Sequence, residues 1–118
     1  MTRLEAGENA ERLAEAFLQA KGMPVVERNF RGKVGEIDLV VKDGDEIVFV
    51  EVRARATKRF GGAAASVGGA KRRKIIRAAA LWLQARGWEG ACRFDVVALE
   101  GGRLEHFPAA FDASGNPA

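Results

Sequence analysis

The chain has 118 residues, of which 47% are hydrophobic and 30% charged, enough apolar material for one core. Its single cysteine, Cys92, excludes an intramolecular disulfide, and with the single His106 it argues against a Cys/His zinc site. No apolar run approaches the roughly 18 residues of a membrane span, and the charged N-terminus lacks the apolar segment of a signal peptide. We therefore expect a cytoplasmic protein without a membrane partner, with one domain over residues 1–111 and a frayed tail over 112–118.

Hydrophobic periodicity and turn residues predict two helices and five strands in the order α-β-β-β-α-β-β. This order predicts an α/β layered domain with a mixed β-sheet flanked by helices. In chain order, the predicted elements are a helix from Leu4 to about Gly22, strands Val25–Phe30, Gly35–Lys42 and Glu46–Ala54, a helix from Ala70 to about Arg86, and strands Cys92–Leu99 and Arg103–Phe107.

Positive charge is concentrated in one part of the chain. Residues 53–88 contain ten Lys or Arg and no acid, although the net charge of the whole chain is only +3. Such a block indicates a polyanionic partner, most simply nucleic acid, and an ordinary solvated helix face is the alternative. The candidate nucleic-acid-binding residues are Lys58, Arg59, Lys71, Arg72, Lys74 and Arg77.

The hairpin from Gly35 to Arg53 carries charges within otherwise apolar strands. Residues two apart on a strand share a face, which predicts an apolar face with Ile37, Leu39, Val41, Val48, Val50 and Val52. The opposite face carries Glu36, Asp38, Glu51 and Arg53 at one end of the hairpin. A two-residue loop at Gly44-Asp45 places Asp38 opposite Glu51, whereas a loop at Asp43-Gly44 places Glu36 opposite Glu51.

Carboxylates on directly opposed residues of a hairpin repel each other and need a compensating cation. Two interpretations stay open: a structural ion pair with Arg53, or a divalent cation such as Mg²⁺, which takes one or two carboxylates together with substrate phosphate. Glu11 borders the apolar stripe of the first helix and is a third candidate acid, with a surface position as the alternative.

The pattern of Asp38 followed by Glu51-Val52-Arg53 resembles that of the PD-(D/E)XK nucleases. More closely, the chain resembles the YraN family of uncharacterised bacterial proteins over about residues 5 to 100. The motifs that carry this resemblance are Glu11-Arg12-Leu13-Ala14, Gly35-Glu36-Ile37-Asp38-Leu39-Val40, Val48-Phe49-Val50-Glu51-Val52-Arg53, Phe60-Gly61, Val67, Lys71 and Arg93-Phe94-Asp95-Val96-Val97.

The resemblance implies a three-layer restriction-endonuclease-like fold, similar to that of archaeal Holliday junction resolvases, which are dimers. It also implies that Glu11, Asp38 and Glu51 hold Mg²⁺ or Mn²⁺, that Val52 contributes its backbone carbonyl, and that position 53 completes the catalytic set.

Arg53 stands where the family pattern has lysine. A buried lysine can lose its proton and help to activate water, whereas arginine stays charged. The leading hypothesis is a metal-dependent DNA endonuclease for structured or branched DNA, slow because of Arg53, with branched DNA expected only from the fold analogy. The second is a non-catalytic nucleic-acid-binding protein on a nuclease scaffold, and the third is an adaptor for an acidic protein.

Overall fold

A computed structural model of the chain describes residues 3–55 and 67–117, with side chains over 7–54 and 67–117. Within these ranges it contains two helices and one five-stranded sheet, in the predicted order. The elements are α1 (Arg3–Ala20), β1 (Val25–Gly32), β2 (Gly35–Asp43), β3 (Glu46–Arg55), α2 (Gly69–Arg86), β4 (Cys92–Glu100) and β5 (Arg103–Phe111). The predicted α/β class and element order are confirmed, and the sequence placed the end of β5 four residues too early.

The strands lie in the sheet in chain order, from β1 to β5. The β1–β2, β2–β3 and β4–β5 pairs are antiparallel, and the β3–β4 pair is parallel. A parallel neighbour requires a crossover connection, and α2 lies on that connection. The mixed sheet follows directly from three hairpin-type connections and one crossover.

Each helix covers one face of the sheet, because each has an apolar stripe that must be buried. On one face Ala14 and Leu18 of α1 pack on Leu39, Val48 and Val50, and we call this cluster the α1 core. On the other face α2 packs on the second cluster, which we call the α2 core. Its members include Val40, Ile47, Phe49, Ile75, Ala78, Trp82 and Phe94.

The β2–β3 hairpin closes through the two-residue loop Gly44-Asp45, since Asp43 pairs with Glu46. Gly44 adopts a φ of 61°, a left-handed conformation that glycine takes without strain. Of the two registers that the sequence left open, the structure has the one that predicts Asp38 near Glu51.

Residues 112–117 follow β5 as a turn that folds back on the domain. Phe111 forms an isolated bridge with Pro117, and the carbonyl of Gly115 accepts a hydrogen bond of 2.7 Å from Nε of Arg72. The predicted domain boundary at residue 111 stays a prediction. No helix in the described parts of the chain is long and apolar enough to cross a membrane.

Candidate functional site

The site is built where β2 and β3 separate. Their paired residues end at Leu39 and Val50, and beyond this point the Asp38 carboxylate takes the place of backbone pairing. Its Oδ2 accepts a hydrogen bond of 2.8 Å from the backbone N–H of Val52. The alternation of faces also breaks here, because Ile37 packs in the α2 core whereas Leu39 packs in the α1 core. The predicted common face for these two residues is therefore wrong.

Glu51 is the buried member of the carboxylate pair, with 3% of its surface exposed. Burial and then the nearby charge of Asp38, together with a hydrogen bond between the two carboxyl groups, raise the pKa of Glu51 to about 8. Two carboxyl groups hydrogen-bond to each other only when one carries a proton. Glu51 therefore keeps its proton to a higher pH than an exposed glutamate does.

Two cations approach the same oxygen of this pair. Lys71 Nζ lies 3.5 Å from Oε2 of Glu51, and Arg53 Nη1 lies 3.8 Å from the same atom. Both lower the pKa of Glu51, against the larger effects of burial and Asp38. The predicted contact of Arg53 with the carboxylates is present. Lys71, predicted to belong to a general phosphate-binding surface, instead contacts the centre of the site from α2.

Glu11 approaches the pair from the other helix. It is half-buried on α1, and burial, followed by the charge of Asp38, raises the pKa of its carboxyl group. A hydrogen bond to Asn29 acts in the opposite direction. Glu11 and Asn29 line a groove between α1 and β1 of about 410 Å³, which Arg28 and Leu39 also border.

The predicted ligand set is only partly assembled. Asp38 and Glu51 are hydrogen-bonded, and Asp38 is close enough to Glu11 for its charge to raise the pKa of the Glu11 carboxyl group. Even so, no three acidic, His or Cys side chains among the residues that the structure describes form a ready-made metal-ligand group. The arrangement is a carboxylate pair with a neighbouring acid, and the metal role of Glu11, Asp38, Glu51 and Val52 stays a prediction.

Glu36 does not join this cluster, although the sequence placed it on the same face and end of the hairpin. Its side chain is 60% exposed and lies 3.7 Å from Arg31. Arg31 and Glu36 are paired residues of β1 and β2, so the separation of β2 from β3 leaves Glu36 on the β1 side. The separation of the strands decides which acids meet.

The predicted nucleic-acid-binding residues fall into separate groups. Lys58 and Arg59 lie outside the described residues. Arg72 has a structural role, because Nη1 donates to the carbonyl of Val67 at 2.7 Å and Nε donates to Gly115. Lys74 and Arg77 are exposed on α2. The nucleic-acid-binding role of the six residues stays a prediction.

A second polar cluster, which the sequence analysis missed, lies on the α1 side of β4. Asp95 is fully buried and accepts hydrogen bonds from Arg93, His106 and the backbone N–H of Ala109. The other ring nitrogen of His106 lies 3.0 Å from Lys21 Nζ. The signal was visible as an acid inside the apolar run Arg93-Phe94-Asp95-Val96-Val97. Arg93 is two residues away on β4, but His106 and Ala109 come from β5, so no short spacing in the sequence revealed the whole cluster.

Fold and site together define an α/β domain with a carboxylate pair at a strand separation beside a basic helix. The chain matches the family model described as "Uncharacterised protein family UPF0102" over residues 10–99. It therefore belongs to this family, which is the YraN family that its motifs indicate.

Relatives of the same description match nearly the whole chain. A UPF0102 protein of Janthinobacterium sp. (strain Marseille) is 47% identical over 108 residues, which cover 92% of this chain and 88% of that protein. One from Anaeromyxobacter dehalogenans is 47% identical over 98% of this chain and 90% of its own length. One from Ralstonia nicotianae is 53% identical over 89% of this chain and 85% of its own length. These names carry no activity, so the function must be inferred from the site.

Proposed function

We propose that the chain is a metal-dependent DNA endonuclease whose site is the Asp38–Glu51 pair. The observation that carries this proposal is the pair of a half-buried Asp38 and a buried Glu51 at the separation of β2 and β3, with two cations near one oxygen of Glu51. A structural ion pair needs only one cation for one carboxylate. Two neighbouring carboxyl groups, one of them only 3% exposed, fit a site for a divalent cation better.

The donor set fits Mg²⁺ or Mn²⁺. These cations take one or two carboxylates and complete their coordination with water and substrate phosphate oxygens, so two acids suffice. Asp38 and Glu51 would hold the ion, with Glu11 beside them. In a β-strand the N–H and C=O of one residue point to the same neighbour, so the Val52 carbonyl is expected on the side where its N–H meets Asp38.

The proposed reaction is hydrolysis of one phosphodiester bond. The oxygen of water bonds to phosphorus while one P–O ester bond breaks, which leaves a phosphate on one DNA end and a hydroxyl on the other. The metal, when bound, supplies an activated water and stabilises charge on the phosphorane. Arg53 stays protonated and stabilises the same charge electrostatically, but it does not accept a proton from water. This absence of a proton acceptor at position 53 supports a slow enzyme.

DNA would bind through its phosphates on the α2 side of the site. Lys74 and Arg77 are exposed on the helix whose first turn brings Lys71 to Glu51. Lys58 and Arg59 belong to the same acid-free block of sequence. Side chains of this kind position the backbone and do not read bases.

The decisive experiment is cleavage of linear, flapped and four-way-junction DNA with Mg²⁺ or Mn²⁺ and with chelator. We expect slow metal-dependent cleavage that Asp38→Asn and Glu51→Gln abolish while both variants stay folded. A preference for the junction would support the resemblance to resolvases, and a dimer in solution would support it independently. Equal cleavage by both variants and wild type would place the activity elsewhere.

A non-catalytic DNA-binding protein is the second candidate, and a specific observation favours it. Lys71 and Arg53 already lie within salt-bridge distance of Glu51 and compete with any metal ion for the carboxylate. This candidate predicts salt-dependent DNA binding without cleavage by any variant. An adaptor for an acidic protein predicts no binding to DNA at all.

A further inference from the structure

Two contacts hold Lys71 beside Glu51: the backbone of α2 packs on the backbone at the start of β2, and the Lys71 side chain itself contacts Glu51. It lies in the first turn of α2, which begins at Gly69. One turn later, α2 meets the start of β2 so closely that a Cβ on Gly35 would lie 2.7 Å from the carbonyl oxygen of Lys74. Gly35 is three residues before Asp38, so this contact fixes the helix against the strand that carries one of the acids.

Lys71 therefore differs from the other basic residues of α2. Lys74 and Arg77 are exposed, and the Lys71 side chain is itself 42% exposed, but its ammonium lies 3.5 Å from a carboxylate that is 3% exposed. A phosphate that approaches the Asp38–Glu51 pair would meet this ammonium and the Arg53 guanidinium together. Of the two cations at Glu51, Arg53 comes from β3 and Lys71 from α2.

We infer that Lys71 is a catalytic residue of the proposed nuclease and contacts the phosphate that is attacked. The inference rests on the proposed function. As water attacks phosphorus and the ester bond breaks, the phosphorane gains negative charge, which the Lys71 ammonium stabilises from the α2 side. In this role Lys71 acts through its positive charge, while the water proton passes to solvent and the leaving oxygen takes a proton from solvent.

The test compares Lys71→Met with Lys42→Met. The second variant removes one positive charge from the hairpin that carries the two acids. Lys42 is four residues along β2 from Asp38, about 13 Å away at the rise of a strand, and lies over Trp88. The first measurement is the cleavage rate at saturating DNA with Mg²⁺, in wild type and in the Arg53→Lys background. The second, without cleavage, is the gain in DNA affinity that Ca²⁺ produces, measured by fluorescence anisotropy.

We expect Lys71→Met to lower the rate about a hundredfold, the usual loss when one group that stabilises transition-state charge is removed. We also expect it to remove most of the Ca²⁺-dependent gain in affinity. Lys42→Met should change neither. Lys71→Arg should keep most of both, since a fixed positive charge is sufficient. If Lys71→Met does not fold, Lys71→Gln replaces it, and melting curves establish which variants are compared.

Retention of both the rate and the Ca²⁺ effect in a folded Lys71→Met or Lys71→Gln overturns the inference and leaves the proposed function intact. A cleavage rate of Lys71→Arg as low as that of Lys71→Met overturns the inference as well, because the role of Lys71 would then need more than a positive charge. Absence of cleavage by both wild type and Arg53→Lys on every DNA overturns the proposed function and the catalytic role together.

Discussion

The backbone N–H of Val52 donates a 2.8 Å hydrogen bond to Oδ2 of Asp38, although both residues lie beyond the last paired residues of β2 and β3. Asp38 is thus oriented by the backbone of the strand that carries Glu51. An acid held by a backbone amide keeps its place when a neighbouring side chain is changed. Single substitutions at Glu51, Arg53 or Lys71 are therefore interpretable as local changes.

The stability of the metal-free protein should decrease as pH rises from about 5 to about 8. Glu51 has its pKa raised from 4.5 to about 8 in the folded protein, so the folded state binds this proton more tightly than the unfolded chain. The contribution is fully present below the unfolded pKa and is lost as pH rises through the folded one. Glu51→Gln should remove this dependence, on the order of 2–4 kcal/mol across the range.

Denaturant unfolding at pH 5, 7 and 9 in the presence of chelator measures this effect. Glu36→Gln is the matched control, because Glu36 is exposed on the same hairpin and should leave the slope unchanged. Parallel curves for wild type and Glu51→Gln would show that Glu51 titrates normally in the folded protein.

Binding of Mg²⁺ or Mn²⁺ should be weak without DNA and should strengthen as pH rises toward 8. The ion binds deprotonated carboxylates, so it competes with the proton that burial favours on Glu51. Substrate phosphate completes the coordination, and calorimetry with non-cleavable DNA should therefore detect tighter binding. Asp38→Asn should abolish the binding of the metal ion. If wild type bound to DNA shows no metal effect, the carboxylates are structural.

Arg53→Lys should raise metal-dependent cleavage above wild type. Arginine at this position stabilises charge but does not accept a proton, whereas a lysine at position 53 is able to lose its proton and then accept one from water. DNA binding should stay within a few fold, because the charge is unchanged. Single-turnover rates of both proteins on the same DNA measure the difference. A wild type that already cuts efficiently, with no gain in Arg53→Lys, would show that no lysine-like base is needed.

Lys74→Ala with Arg77→Ala should weaken DNA binding and reduce its salt dependence. Each phosphate contact contributes about −0.9 to the slope of log K against log salt, so the double variant should flatten this slope by about 2. Arg72→Ala should instead lower the melting temperature, because Arg72 joins Val67 to Gly115. Anisotropy titrations at several salt concentrations measure the slope, and an unchanged slope would exclude this face of α2.

Asp95→Asn should destabilise the fold by about 3–5 kcal/mol, since it leaves Arg93 without its fully buried partner. Asp43→Asn is the control: Asp43 also contacts Arg93, but its side chain is 47% exposed, and its loss should cost about 1 kcal/mol or less. Denaturant unfolding of both variants decides the matter. A small effect of Asp95→Asn would mean that His106 and Ala109 hold the segment without the charge.

The sequence was sufficient to predict the order of elements, which depends on local periodicity. The short loop limited the hairpin to two registers, one of which places Asp38 opposite Glu51. The sequence did not predict the change of face at Ile37, since strand alternation assumes that β2 and β3 stay paired. The contact of Lys71 with Glu51 depends on how a long crossover returns to the sheet. Charge alone could not separate this residue from Lys74.

Asp38 and Glu51 lie closer together in the sequence than Lys71 lies to either of them. The two acids are on one hairpin with a two-residue loop, so bringing them together costs little loop-closure entropy, whereas Lys71 contacts Glu51 only after α2 has packed on the sheet. During refolding the hairpin therefore brings the two acids and Arg53 together before α2 adds its cation. We expect the docking of α2, which brings Lys71 to Glu51, to be the later event.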